Sequence, residues 1–435
     1  MDYTRFFSAN AAIRRPSWIT QHRHYMSDPS PDLLWLAGGH PDDAVLPFTE
    51  ATVALKDGQE VHLNQDLMAT GLQYGPVEGD TSLLKYLSDL TQKMHSPPRW
   101  SQTQQIVTMG AQDGLAKTCV MLVNSGDYVI VPEPCYAGAF YELASLQPQY
   151  LAVEEDEEGL RTDLLRSTLA RWKVEVGEKP SEKRLKFLFT SPSGSNPSGT
   201  TLSERRRREI YALACEYDFL ILEYDPFYFL ELQDDSPPSF LSLETEGRVL
   251  RFDSFSKTIG PGLRVGYVTG PQELVEKICQ YVMASVMCGC SLSQVRWPGC
   301  LTRELFRVWS FEGFLTHAKK VREMSRRRRD AALSSAEEHL AGLCEWRELA
   351  GGMFLWLKVP EVKDTAAMLL GRGVAKNALL KPGNIFMTRP ELPCQTMRVS
   401  YASASPEEMD KAFKTLAELV REEMKLKSRT EGEEK

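Results

Sequence analysis

The sequence predicts an α/β protein: a large, mostly parallel mixed sheet covered by helices, followed by a smaller α+β unit. Two observations carry this. From about residue 104 to residue 270, short β-branched runs alternate with helical stretches, the alternation that a helix-covered parallel sheet produces. Beyond about residue 300 the pattern changes to one long helical run and then a few isolated strands and helices.

The expected strands are Gln105–Thr108, Tyr128–Val131, Lys186–Thr190, Phe219–Leu222, Val249–Phe252 and Arg264–Val268. Most are apolar on both faces, as strands buried between two helical layers must be. A helix is expected over Leu202–Tyr217, entered through Ser203-Glu204 after a turn. The C-terminal part reads as a helix from about Arg303 to Leu343, a strand Gly352–Val359, a helix Asp364–Arg372, a strand Met397–Tyr401 and a last helix from Pro406. The tail after Lys425 is highly charged and is expected to fray. The expected division is therefore 1–44, a segment packing on the small domain, 45–300, the large domain, and 301–435, the small domain.

Composition narrows the function. The 435 residues are 42% hydrophobic and 25% charged, ordinary globular usage. A net charge of −8 disfavours nucleic acid as a partner, because phosphate binding needs a basic surface. The arginine runs 205–208 and 326–329 read as solvated helix faces. Nine cysteines are scattered without a C-x-x-C pair, so thiols of a cytoplasmic protein are expected, with neither a disulfide frame nor a metal site. No apolar run approaches the ~18 residues of a membrane span.

Three segments carry chemistry. In Asp253-Ser-Phe-Ser-Lys-Thr-Ile-Gly-Pro-Gly-Leu-Arg264-Val-Gly a lysine follows a β-run, among hydroxyl residues and seven positions before an arginine. A Schiff-base lysine needs a depressed amine pKa, which cationic or apolar surroundings provide. Ser254, Ser256 and Arg264 are the groups a phosphate needs. Met109-Gly-Ala-Gln-Asp-Gly114 follows a strand and opens a helix, so its free N–H groups form an anion site that Gly110 lets a ligand approach. Ser193-Gly-Ser-Asn196-Pro-Ser-Gly199 is a turn-rich loop after another strand.

The order of these segments resembles the class I/II aminotransferases of pyridoxal 5′-phosphate (PLP) fold type I, and within them the kynurenine/2-aminoadipate branch. The similarity spans nearly the whole chain. It includes Met1-Asp-Tyr-Thr-Arg-Phe, Leu36-Ala-Gly-Gly39, Gln73-Tyr-Gly-Pro76, Pro132-Glu-Pro-Cys-Tyr136, Gly351-Gly-Met-Phe-Leu-Trp356, Pro382-Gly-Asn-Ile-Phe386 and Arg398. The resemblance implies that Lys257 holds PLP covalently and shuttles the substrate proton. It implies that Ala111, Gln112, Ser254, Ser256 and Arg264 hold the phosphate. Tyr136 stacks on the ring, Asn196 bonds the ring oxygen, Arg398 clamps the substrate carboxylate, and Gly39 leaves room for the substrate. Tyr74 reaches a neighbouring subunit's phosphate, which implies a homodimer with shared sites.

One stretch departs from the family pattern Glu-Asp-x-Pro-Tyr, whose Asp pairs with the pyridine nitrogen and whose Tyr bonds the ring oxygen. Here the residues are Glu223-Tyr224-Asp225-Pro226-Phe227-Tyr228. Two readings stand. A one-residue slip brings Asp225 and Tyr228 into the cofactor site. Without a slip, Tyr224 and Phe227 take their places, and the ring loses the charge that keeps its nitrogen protonated. His40, Thr20 and Trp18 depart from the close relatives, with Arg23 as a substitute for the arginine expected at position 20. The expected function is transfer of an amino group from an aromatic or long-chain α-amino acid to a 2-oxo acid such as 2-oxoglutarate. The alternative is a PLP-dependent decarboxylase, lyase or oxidative deaminase on the same scaffold.

Overall fold

The computed structural model describes residues 1–21, 39–177, 184–233, 236–294 and 301–433. A hairpin of β1 (Ala51–Ala54) and β2 (Glu60–Leu63) stands apart. The large sheet is built from β3 (Thr103–Thr108), β4 (Tyr128–Glu133), β5 (Gln149–Asp156), β6 (Gly159–Leu160), β7 (Leu185–Thr190), β8 (Leu220–Tyr224), β9 (Val249–Ser254) and β10 (Gly266–Pro271). Its order is β3-β10-β9-β8-β7-β4-β5-β6. The neighbours from β9 through β5 run parallel, whereas β10 is antiparallel to both β9 and β3.

Inner strands β7, β8 and β9 are buried on both faces because each face meets helices. On one face Phe187, Phe189, Leu220, Leu222, Leu250 and Phe252 pack with Leu115, Cys119, Leu274 and Ile278 from helices Ala111–Leu122 and Gln272–Val286. On the other face Leu188, Ile221 and Val249 pack with Leu165, Leu169, Ile210 and Leu213 from helices Thr162–Val176 and Glu204–Tyr217. Ser203 caps the second of these helices by accepting from the Arg206 N–H. A small antiparallel sheet of β11 (Glu345–Trp346), β12 (Phe354–Lys358), β13 (Lys381–Pro382) and β14 (Thr396–Ser400) has the order β11-β12-β14-β13. It packs on the ends of helices Leu301–Leu340 and Pro406–Glu433 through Ala336, Leu340, Leu355, Met397, Phe413 and Leu416.

Several expectations need correction. The segment 1–44 was expected on the small domain, but residues 3–14 lie on the large sheet's helices. Tyr3, Phe6 and Ala11 join that core, the Lys186 Nζ donates to the Phe6 carbonyl at 3.0 Å, and the Lys277 Nζ donates to the Arg14 carbonyl at 3.1 Å. Strand β5 was missed, because its polar, half-exposed Gln-Tyr-Leu-Ala-Val-Glu-Glu-Asp lies near the sheet edge. The arginine runs are not simply solvated. Arg206 and Arg207 are buried, with the Arg206 guanidinium on Asp156 and the Gly159 carbonyl and the Arg207 guanidinium on the Leu202 and Pro192 carbonyls. Arg326 and Arg329 bind the Leu232 and Leu349 carbonyls. The helix expected from Arg303 to Leu343 breaks at Ser310, whose φ is +58°. The last helix runs on to Glu433 instead of fraying at Lys425. Among the described residues no helix is long and apolar enough to cross a membrane.

One buried ion cluster fixes how the strand ends face. Arg251 on β9 is fully buried and binds Glu223 at 3.1 Å, Asp225 at 3.1 Å and Asp253 at 2.9 Å. Removing the cation strands three buried carboxylates. Arg251→Met is therefore expected to lower unfolding stability by about 3–5 kcal/mol, read as a fall in the denaturant midpoint with unchanged slope. A second group reports on pH. Burial pushes the Glu155 carboxyl up to about 7 from 4.5, against hydrogen bonds from Ser198 and Thr200 and the charge of Arg347. The folded state then holds a proton that the unfolded state has released. The contribution is complete below about 4.5 and is lost as pH rises through about 7. Melting temperature should fall over that interval, and Glu155→Gln should flatten the fall.

Candidate functional site

The site lies where the strands of the large sheet end. A cavity of about 220 Å³ opens there, and sheet order sets the sequence of groups along it. After β3 comes the start of helix Ala111–Leu122, where no side chain caps the N-terminus and Gly110 has a φ of +83°. A side chain at position 110 would strike the Arg264 guanidinium, whose Nη2 lies 2.5 Å from the place a Cβ would take. Arg264 is held by the Met109 carbonyl at 2.8 Å and the Pro261 carbonyl at 3.2 Å. After β9 come Ser254 and Ser256, whose hydroxyls share a 3.0 Å hydrogen bond. Ala111, Gln112, Ser254, Ser256 and Arg264 all line the cavity. Uncapped N–H groups, hydroxyls and a guanidinium at one end make an anion cradle.

Lys257 lines the same cavity next to that cradle. Burial depresses its amine, and the charges of Arg264 and Arg398 push it further down. An amine held below its usual pKa is a nucleophile towards carbonyl carbon.

Strand β8 supplies the next wall. Tyr224 lines the cavity and stacks against Tyr136, with centroids 5.3 Å apart and planes 18° from parallel. Tyr136 precedes helix Ala137–Ala144, and Gly138 makes room for it: a Cβ there would fall 2.3 Å from the ring. Beyond β7 lie Ser191 and Asn196. The Ser191 hydroxyl is buried without a hydrogen-bond partner.

Strand β12 of the small sheet closes the cavity with Phe354. Close approach of glycines docks the two sheets here, since a Cβ on Gly194 would fall 2.2 Å from the Gly352 nitrogen. Arg398 on β14 lies over the Phe354 ring at 3.8 Å and donates to the Asn196 Oδ1 at 2.7 Å. Its Nε is buried without a partner, and burial lowers its pKa to about 10. A half-desolvated guanidinium with donors to spare is suited to a carboxylate.

The two readings of residues 223–228 are now separable. No slip occurs. Tyr224 and Phe227 line the cavity, whereas Asp225 and Tyr228 do not. Asp225 accepts from the Ser193 hydroxyl at 3.1 Å and pairs with Arg251 on the opposite side of the sheet. Tyr228 packs at a tilt against His95, with centroids 4.8 Å apart and planes at 56°, and carries the Arg251 guanidinium 5.0 Å from its ring centre. The expectation that both join the cofactor site is corrected. Strand alternation is the reason: a shift of one residue would move Glu223 to the apolar face and away from Arg251.

Of the other expected residues, Tyr74 is exposed and sits near His40, with ring centroids 6.3 Å apart. Gly39 is exposed with open space around it, and neither lines the cavity. Trp18 is exposed. Arg23, the Thr20 side chain and Leu36–Gly38 lie outside the described residues. Ser191, Pro226, Phe354 and Gly138 were not anticipated; the aromatic-then-small pattern Tyr136-Ala-Gly138 was a usable signal for the last.

Comparisons with known proteins agree with this geometry. Residues 31–416 match the family described as Aminotransferase class I and II. The mitochondrial kynurenine/alpha-aminoadipate aminotransferase of Bos taurus is 39% identical over 430 residues, covering 98% of this chain and all of that protein. The crystal structure of aminotransferase Aro8 from Candida albicans superposes with a TM-score of 0.85 at 25% identity, covering 98% of this chain and 99% of its own. Pyrococcus horikoshii kynurenine aminotransferase, solved with PMP, KYN and KYA, gives 0.75 at 28% identity over 97% of this chain and 98% of its own. These relatives give no support to a decarboxylase, lyase or oxidative deaminase. A depressed lysine amine beside an anion cradle, on this fold and with these relatives, identifies the chain as a member of the class I and II aminotransferases, a transaminase whose cofactor is pyridoxal 5′-phosphate.

Proposed function

We propose that the enzyme takes its amino group from an aromatic or long-chain α-amino acid of the kynurenine or aminoadipate type and delivers it to a 2-oxo acid such as 2-oxoglutarate. One observation carries the reading: the Lys257 amine and the anion cradle line one cavity, and Arg398, with its Nε unpartnered, sits against the Phe354 and Asn196 that wall it. The residues fit the cofactor. The uncapped helix start and the bare Gly110 leave space for a phosphate, and the orphan Ser191 hydroxyl awaits a polar partner. Bound there, PLP supplies an aldehyde that accepts nitrogen and a conjugated ring that spreads charge from the substrate α carbon.

The chain's own groups do the rest. The Lys257 Nζ holds the aldehyde carbon and, when released, moves a proton to and from the substrate α carbon. The N–H groups of Ala111 and Gln112, with Ser254, Ser256 and Arg264, hold the phosphate. Tyr136 covers one ring face. Asn196 bonds the ring oxygen and steadies Arg398. Arg398 takes the α-carboxylate through its fork, and Gly39 leaves room for the substrate. Tyr74, exposed on this chain, reaches the cofactor of a second copy in a homodimer. A cytoplasmic setting belongs to the same reading. It rests on free thiols at the described cysteines, although the Bos taurus relative is named as mitochondrial; cell fractionation decides.

Kynurenine, aminoadipate and aromatic amino acids, each assayed with 2-oxoglutarate, should yield the matching oxo acids and glutamate. Absence of any oxo acid across that panel would remove the substrate assignment. Lys257→Ala should abolish the half-reaction with amino acid alone, and borohydride should leave no label at position 257. Gly110→Ala forces a non-glycine residue into a φ that costs about 1–3 kcal/mol and displaces Arg264. Titration by cofactor absorbance should show weaker PLP binding, on the order of tenfold or more.

A further inference from the structure

The cavity is unusual in what it lacks. Among the described residues that line it, none is an aspartate or a glutamate. Two guanidinium cations bear on it, Arg264 in its lining and Arg398 beside it. A pyridine ring is kept cationic by an opposite charge beside its nitrogen and is made neutral by nearby positive charge.

The acids closest in sequence are all committed elsewhere. Glu223 accepts from the N–H groups of Phe240 and Leu241 at 2.8 and 3.1 Å and pairs with Arg251. Asp225 is bound by Ser193 and Arg251, and Asp253 by Arg251. All three lie behind the sheet on the Arg251 side. Position 224 is the β8 residue whose side chain faces the cavity. Sheet order then places it between the cradle after β3 and β9 and the hydroxyl of Ser191 after β7. A ring anchored by its phosphate at the cradle therefore extends towards the Tyr224 phenol.

We infer that this enzyme binds its cofactor with the pyridine nitrogen unprotonated, in contact with the phenol of Tyr224 and with no carboxylate. The phenol is neutral: burial and the neighbouring Tyr136 raise its pKa well above the usual value. A neutral phenol donates a hydrogen bond to a ring nitrogen but cannot balance a pyridinium charge. The ring is then a weaker electron sink, and removal of the α proton leans more on Lys257 than on the ring. This rests on the PLP assignment above and concerns only the charge state of the ring.

The test uses the full-length enzyme loaded with PLP labelled with ¹⁵N at the ring nitrogen. Its NMR shift should lie in the free-pyridine range at every pH at which the protein stays folded. A shift in the pyridinium range overturns the inference. Tyr224→Asp should move the resonance to the pyridinium range, and no movement in a folded Tyr224→Asp protein also overturns it. Because a buried carboxylate can prevent folding, Tyr224→Phe provides a second arm. It keeps the shape, and the signal should stay in the free-pyridine range but move by the loss of a hydrogen bond; an unmoved signal overturns contact with the phenol. The carbocyclic analogue with carbon in place of the ring nitrogen should support the half-reaction within about tenfold of PLP, and a far larger loss counts against the inference. If the protein takes up no PLP at all, no visible band appears, and that outcome sinks the cofactor assignment instead.

Discussion

The arrangement of the active site depends on a cation that never enters it. Arg251 is buried at the middle of the sheet with carboxylates from β8, β9 and the turn after β8 around it. Taking such charges out of water is costly, and the cost is met only if each is paired and hydrogen-bonded. The backbone N–H groups of Phe240 and Leu241 and the Ser193 hydroxyl add to the pairing, and the Asp225 Oδ1 alone keeps no partner within it. Because Glu223 and Asp225 must face Arg251, Tyr224 must face the other way. The side chain that β8 offers to the cavity is thus decided by an ion cluster on the far side of the sheet.

The same logic of strand ends assembles the rest. The cradle comes from the ends of β3 and β9, the aromatic wall from the ends of β4 and β8, and the Ser191–Asn196 side from the end of β7. Open sheets carry their sites at the carboxyl ends of strands because there helix N-termini and loops converge. The small sheet adds what the large one lacks. Gly194 and Gly352 let two backbones touch, and that contact brings Phe354, with Arg398 over its ring, to the cavity wall. Arg398 then gives up much of its hydration, which sharpens its preference for an anion.

Much of this was legible before any coordinates. The inner strands were readable because double-faced burial demands continuous apolar runs, and the cradle because glycine, hydroxyls and arginine recur where a phosphate must be held. Other features were not. Strand β5 lies near the edge and carries charge, so its composition resembles a loop. Arg206 and Arg207 looked like surface charge because the carbonyls of Gly159, Leu160 and Pro192 that take them come from elsewhere in the chain. The N-terminal segment was expected on the small domain because its anchors on the large one, Lys186 and Lys277, lie far along the chain.

By itself, then, the sequence determined the inner strands and the residues of the anion cradle, since each is carried by local residue types in a local pattern, and the order of its motifs along the chain carried the resemblance to the aminotransferase family. It did not determine which of Tyr224 and Asp225 faces the cavity. Alternation along β8 is silent when both faces are buried, so either register is consistent with the residues read alone. Only tertiary structure resolves it, because the deciding partner, Arg251, belongs to another strand. Electrostatics across the sheet chose the face.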